Sequence, residues 1–321
     1  MEYWKHICQR ENLSQMGSWG KALLDVLLFV ALFLLVSGLL VLATEPLSGV
    51  VPDIGPLRFW GPMFSSELLM LVAIVCSAGI LFRVRKIPFS VWGLAFRPVE
   101  WGKGLLLAVL LYAVGFSVSL LTGSVQIESV YISLPALLLS LCFFLLVGLT
   151  EELMVRGVVM GRMLWGKMPG WAALFLSSFL FSLMHLFNPD FSFLPFLNIF
   201  LAGILLGIPY LYKRNLSYSI SLHCFWNWLQ GPVLGYNVSG TELSGHVYCE
   251  SLLTLQPDGS PLLNGGSFGF EGSLICTALL IAASVILWRK GKNIEMKNEE
   301  RRMKNFGDNG WTTQITQINA D

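Results

Sequence analysis

Apolar residues fall along this chain in blocks of about 20, the length a helix needs to cross the ~30 Å hydrocarbon core of a bilayer. Eight such blocks are readable, at 22–44, 62–82, 104–122, 133–152, 171–188, 193–212, 216–236 and 270–288. The fifth to seventh are interrupted by polar residues or proline. The pattern therefore predicts an all-α fold, a polytopic membrane helix bundle of about eight transmembrane helices.

The segments between the blocks differ in charge. Lys5, Arg10 and Lys21 precede the first block, and Arg83, Arg85, Lys86, Arg97 and Lys103 separate the second from the third. Arg156, Arg162 and Lys167 follow the fourth, Lys213 and Arg214 the sixth, and Arg289, Lys290 and Lys292 the eighth. The alternate loops carry Arg58 alone in the first and no Lys or Arg in 123–132, 189–193 or 237–270. Positive residues collect on the cytoplasmic side of membrane proteins, so the alternation places both termini in the cytoplasm. The first apolar block is long and shows no convincing cleavage site, which argues for a retained span rather than a signal peptide.

Composition agrees with the blocks. Of 321 residues 55% are hydrophobic and 13% charged, about half the charged fraction of a soluble domain, and mean hydropathy is +0.65. The formal net charge of +1 offers no basic surface for nucleic acid. Five regions follow: transmembrane helices 1–3 in 1–130, a core of helices 4–7 in 131–236, an extracytoplasmic loop 237–270, a last helix 271–290 and a cytoplasmic tail 291–321.

Ionisable groups are expensive within the blocks and mark the places to look for chemistry. Asp25 lies near the start of the first block, within reach of the interface, and Glu67 early in the second reads as a structural hydrogen-bonding group. The concentration is in the second half. In "EELMVR", Glu152 and Arg156 stand four residues apart with the acid first, the favoured order for an ion pair on one helix face. Glu151 points about 100° away and is left as the working carboxylate. "FSLMH" places Phe181 and His185 on one helix face, and "HCFWN" does the same for His223 and Asn227.

Helix geometry allows these groups to meet. "GKMPG" marks a turn between the fourth and fifth blocks, and with Met168 as its apex Glu151 lies 168 − 151 = 17 residues before it and His185 lies 185 − 168 = 17 after. Equal distances along an antiparallel hairpin mean equal depth. Convergence also requires that 156–170 be largely cytoplasmic and that "FNPDFSFLP" after His185 break the helix inside the protein, against a cavity.

Together EExxxR, FxxxH and HxxxN on successive helices resemble the CPBP family of intramembrane proteases, related to the type II CAAX prenyl endopeptidases and to bacteriocin-processing and immunity proteins. The resemblance covers roughly 130–235. It implies an endopeptidase that cleaves a membrane-associated peptide, a prenylated CAAX or leader-peptide substrate, within the bilayer of a bacterial cytoplasmic (plasma) membrane. Glu151 would be the general base, His185 would orient the attacking water, and His223 and Asn227 would donate to the developing oxyanion. Glu152, Arg156 and Phe181 would support the site. Two versions of the chemistry stay open, one metal-independent and one in which Glu151, His185 and His223 hold Zn2+. Two further classes compete: a non-catalytic bacteriocin-immunity or scaffold membrane protein, and a proton-relaying transporter, which the absence of a readable internal repeat disfavours.

Overall fold

The computed structural model describes residues 15–44, 56–242 and 250–318; Lys5, Arg10 and part of the 237–270 loop lie outside them. Helices α1 (Gln15–Thr44), α2 (Pro56–Arg85) and α3 (Pro98–Leu121) precede the core. The core runs through α4 (Leu134–Glu152), a π-helical stretch Leu153–Met160, α5 (Gly161–Trp165), α6 (Gly170–Met184), α7 (Phe193–Lys213) and α8 (Ser217–Trp228). A second π-helical stretch, Leu229–Val233, continues α8; the short α9 (Pro261–Asn264) and the long α10 (Leu274–Ile318) complete the chain.

Among the described residues, six helices are long and apolar enough to cross a membrane: Ser18–Thr44, Phe59–Arg85, Pro98–Leu121, Leu134–Trp165, Phe193–Lys213 and Leu274–Ile294. They turn large apolar side chains outward, such as Leu27, Leu34 and Leu42 on α1, Val72 and Ile80 on α2, and Ile281 and Ile286 on α10. The protein is a multi-pass integral membrane protein in which those side chains meet lipid.

Eight spans were expected, and two of them do not have the length. With 15 residues, α6 reaches about 22 Å at 1.5 Å per residue, and the 12 residues of α8 reach about 18 Å. Helix α6 stops where Pro189 and Pro195 punctuate the chain, and α8 loses its regular hydrogen bonding near Gly231 and Pro232. The reading as purely α-helical also needs correction. Val125–Val130 (β1) pairs antiparallel with Leu253–Pro257 (β2), with an irregularity between Ile127 and Ser129. Two loops that charge alone placed on one side of the membrane are thus tied together at one end of the bundle.

Helix α8 can be short and polar because other helices surround it. Seen from α3, a Cβ on Gly104 would come within 2.5 Å of Tyr218 O and 2.8 Å of Leu222 N; seen from α4, one on Gly148 would come within 3.3 Å of Cys224 N. Small residues at these crossings let the backbones approach, the usual device for packing helices in lipid. The hydroxyls of α8 then find partners: Ser219 donates to Leu206 O at 2.7 Å and Ser221 to Trp101 O at 2.7 Å. Every residue from Ser217 to Cys224 is buried.

The stretch from Leu153 to Met163, which overlaps the 156–170 segment expected on the cytoplasmic side, is buried throughout in the protein core. It is anchored by a buried ionic cluster. Asp25 Oδ1 accepts from Arg85 Nε at 2.7 Å, and Oδ2 accepts from Arg162 Nε at 2.9 Å and Nη2 at 2.7 Å. Trp19 Nε1 donates to Lys167 O at 2.9 Å, so α1 is fastened along the 4–5 hairpin.

Candidate active site

Helix α4 carries Glu151 and Glu152 in its last turn, and the backbone changes to π-helix at the next residue. Helix α8 behaves similarly, turning π-helical two residues after Asn227. Such widened turns occur often at functional sites. Arg156, inside the first one, still reaches Glu152: Nη1 donates to Oε1 at 2.7 Å, and both side chains are 0% exposed. Its Nη2 donates to Gly203 O at 2.9 Å. That carbonyl is near because Gly203 lets α7 close on α6, where a Cβ would lie 2.9 Å from Ser178 Cα.

Glu152 has a second duty that its spacing to Arg156 did not reveal. Its Oε1 also accepts from His223 Nδ1 at 2.9 Å. A carboxylate held on one ring nitrogen fixes the orientation of an imidazole and stabilises its doubly protonated form. The other nitrogen, Nε2, lies 3.8 Å from Glu151 Oε2. That glutamate oxygen is buried and has no hydrogen-bond partner among the described residues. Glu152 Oε2 is likewise without a partner among the described residues, so the two adjacent glutamates differ in setting: Oε1 of Glu152 binds Arg156 and His223 away from the cavity, while Glu151 lines the cavity with an open acceptor.

His185 caps the C-terminus of α6, and the helix break expected after it is present, with α7 starting at Phe193. Its Nδ1 is 2.8 Å from Phe181 O. A carbonyl can only accept, so Nδ1 carries the proton in this bond and Nε2 is left with its lone pair. Phe181 separates the ionic and catalytic layers. Arg156 sits over its ring at 4.6 Å, and its edges meet His185 at 4.9 Å and His223 at 5.9 Å between centroids.

Glu151, Phe181, His185, His223 and Asn227 all line one cavity of about 400 Å³. Groups from α4, α6 and α8 are thus brought to one space. Glu152 and Arg156 do not line it and stand behind Phe181. Five further polar residues line the cavity that sequence reading did not assign to it: Glu67, Asn188, Ser239, Thr241 and Glu271. Glu271 is saturated, accepting from Trp226 Nε1 at 3.0 Å, Gln230 Nε2 at 3.3 Å, and Ser239 N and Oγ at 3.0 and 2.8 Å. With Asn188 donating to Ser239 O at 2.9 Å, it closes the cavity with residues 238–241. Glu67, expected as a structural hydrogen-bonding group, faces the cavity with its Oε2 buried and without a hydrogen-bond partner among the described residues.

Among the described residues no three His, Cys, Asp or Glu side chains come together as a set that could hold a metal ion. Glu151, His185 and His223 do not fit that requirement as placed, and the chemistry below uses side chains alone.

Residues 133–229 match the family model described as type II CAAX prenyl endopeptidase Rce1-like. That range contains every motif residue from Glu151 to Asn227 and excludes Glu67 and Glu271. No curated protein and no solved structure matches the chain. The chain carries an Rce1-like type II CAAX prenyl endopeptidase family domain.

Proposed function

We propose that this Rce1-like domain makes the protein an intramembrane endopeptidase that hydrolyses a peptide bond of a membrane-associated substrate with a water activated by Glu151. The observation that carries the reading is the convergence of Glu151, His185, His223 and Asn227, from three helices, on one cavity. The substrate class that goes with it is a lipidated CAAX-type or leader peptide. The charge alternation along the sequence supports both termini being cytoplasmic, and the family-matched range supports 131–236 as the catalytic core.

In the mechanism a water donates one proton to Glu151 and a second hydrogen bond to the free Nε2 of His185. As Glu151 takes the proton, the water oxygen bonds to the scissile carbonyl carbon. Negative charge then grows on the carbonyl oxygen, where the amide of Asn227 and the protonated Nε2 of His223 donate. His223 can carry that proton because Glu152 accepts from its other nitrogen. Collapse of the tetrahedral intermediate breaks the C–N bond, and Glu151 returns its proton to the leaving amine. Preorganised donors in a cavity without bulk water need no rearrangement as the charge develops. Arg156 neutralises Glu152, so His223 is oriented without adding net charge behind it.

The test is hydrolysis of quenched prenyl- and leader-peptide libraries by the purified protein in detergent. Wild type is expected to cleave, and Glu151→Gln and His185→Ala to lose activity by roughly 10²–10⁴-fold, the usual worth of positioned acid–base groups. Cleavage that survives both substitutions would overturn the assignment and favour a binding or immunity role.

A further inference from the structure

Glu67 lies outside the family-matched range, on α2, yet lines the same cavity as Glu151 and His223. The three carboxylates that line the cavity are in different states. Glu271 has its oxygens taken by Trp226, Gln230 and Ser239. Glu151 is committed to the water. Glu67 has a buried oxygen with no partner among the described residues. Such an acceptor is tolerable while water fills the cavity and becomes costly once a substrate displaces that water, unless the substrate brings a donor.

The remainder of the lining specifies that donor. Among the described residues no Lys or Arg lines the cavity. The nearest deep cation, Arg156, is paired with Glu152 behind the Phe181 ring. A substrate carboxylate would therefore meet like charges in a poorly screened space and find no counter-ion, while an ammonium or guanidinium would find one. The wall beside Glu67 is apolar and adaptable: Met63 and Met70 stand four residues before it and three after it on α2, facing Phe143 and Val147 of α4. A wall of this kind suits the methylene stem of a long basic side chain whose charged end reaches Glu67.

We propose that Glu67 is a specificity-determining residue that receives a Lys or Arg side chain flanking the scissile bond, and that the cavity disfavours a substrate that places a carboxylate there. This inference rests on the protease reading and deepens it. Of the two substrate classes in that reading it selects the leader peptide, cleaved at an internal basic stretch, over a CAAX end, whose free carboxylate lies close to the scissile bond.

The experiment scans Lys, norleucine and Glu across the positions flanking the scissile bond in otherwise identical quenched peptides, with amidated and free C-termini. Wild type is expected to favour Lys over norleucine at one position by about tenfold in kcat/KM, the scale of a hydrogen bond to a charged group, and to turn over Glu slowest. Glu67→Gln is expected to erase that preference while cleaving the norleucine peptide within roughly threefold of wild type, the reach of a substitution that touches no reacting atom. The same peptides are titrated against Glu151→Gln, alone and with Glu67→Gln, to read binding without turnover. An unchanged Lys preference in Glu67→Gln overturns the proposal, as does an equal loss on all peptides, which would make Glu67 part of the general machinery. If wild type cleaves nothing but Glu151→Gln binds the Lys peptide in a Glu67-dependent way, the protease reading fails and the basic-ligand site stands. Absence of both cleavage and Glu67-dependent binding overturns the two together.

Discussion

The bundle contains two clusters of buried charge, and they differ in how completely their oxygens are used. In the first, Asp25 pairs with the partly exposed Arg85 and the buried Arg162, and both carboxylate oxygens accept. In the second, Glu152 carries Arg156 and His223, but the neighbouring Glu151 keeps an open oxygen 3.8 Å from the imidazole and faces empty volume. Both clusters would look alike in a list of intramembrane ionisable residues. A carboxylate with every lone pair committed has nothing left for a substrate and serves to fasten helices. A carboxylate with a free lone pair next to a cavity can take a proton. A free lone pair beside a cavity, more than burial, separates chemistry from fastening: Glu152 Oε2 also lacks a partner among the described residues but does not line the cavity.

Substitutions can break or sharpen this contrast. The largest expected effect is from Glu151→Gln, which keeps the shape of the side chain and removes its basicity. It should lower kcat by roughly 10²–10⁴-fold while thermal unfolding in detergent stays at the wild-type midpoint. Asn227→Ala should lower kcat by about 10²–10³-fold with KM little changed, if its amide donates only to the developing oxyanion. A rise in KM with kcat retained would instead make it a substrate-binding group.

The fastening cluster should respond in the opposite sense. Asp25→Asn leaves the buried Arg162 without its counter-ion, and loss of one partner of a buried pair costs about 3–5 kcal/mol. Unfolding should shift strongly, and activity per folded molecule should not. If catalysis falls more than the folded fraction, the two clusters are coupled and the contrast fails. The smallest effect is expected at the cavity's edge. Ser239→Ala removes one of several hydrogen bonds to Glu271, worth about 1 kcal/mol. Faster amide exchange confined to residues 236–242, with the core unchanged, would mark those residues as a separately opening cover.

Much of the candidate site was readable from the chain because helix periodicity converts spacing into direction. Glu152 and Arg156 are four apart and pair at 2.7 Å; Phe181 and His185 are four apart and their rings meet. The counting argument about Met168 placed Glu151 and His185 at one depth, and both line one cavity. The expected break after His185 is where α6 ends. Where the reading failed, the cause lies beyond local spacing. The charge of Arg162 gave no sign that Asp25, on a distant helix, pairs with it within the core. Helix α8 looked like a full span because its apolar content was counted without knowing that helices, and not lipid, surround it.

The sequence by itself determined that the chain is a multi-pass helical membrane protein, which residues could share a helix face, and which family its central domain resembles. These properties depend on composition and on neighbours within a turn or two. The tertiary structure alone decided that Glu152 orients His223, that Glu271 is saturated, and that Glu67 on α2 opens into the same cavity as Glu151. Each of these is a meeting of side chains from separate helices. Crossings at Gly104, Gly148 and Gly203 set them, where backbones approach because no side chain stands between. The two π-helical stretches belong to the same class, since a shift of backbone hydrogen bonds by one residue leaves no mark on side-chain spacing and is chosen by what the helix packs against.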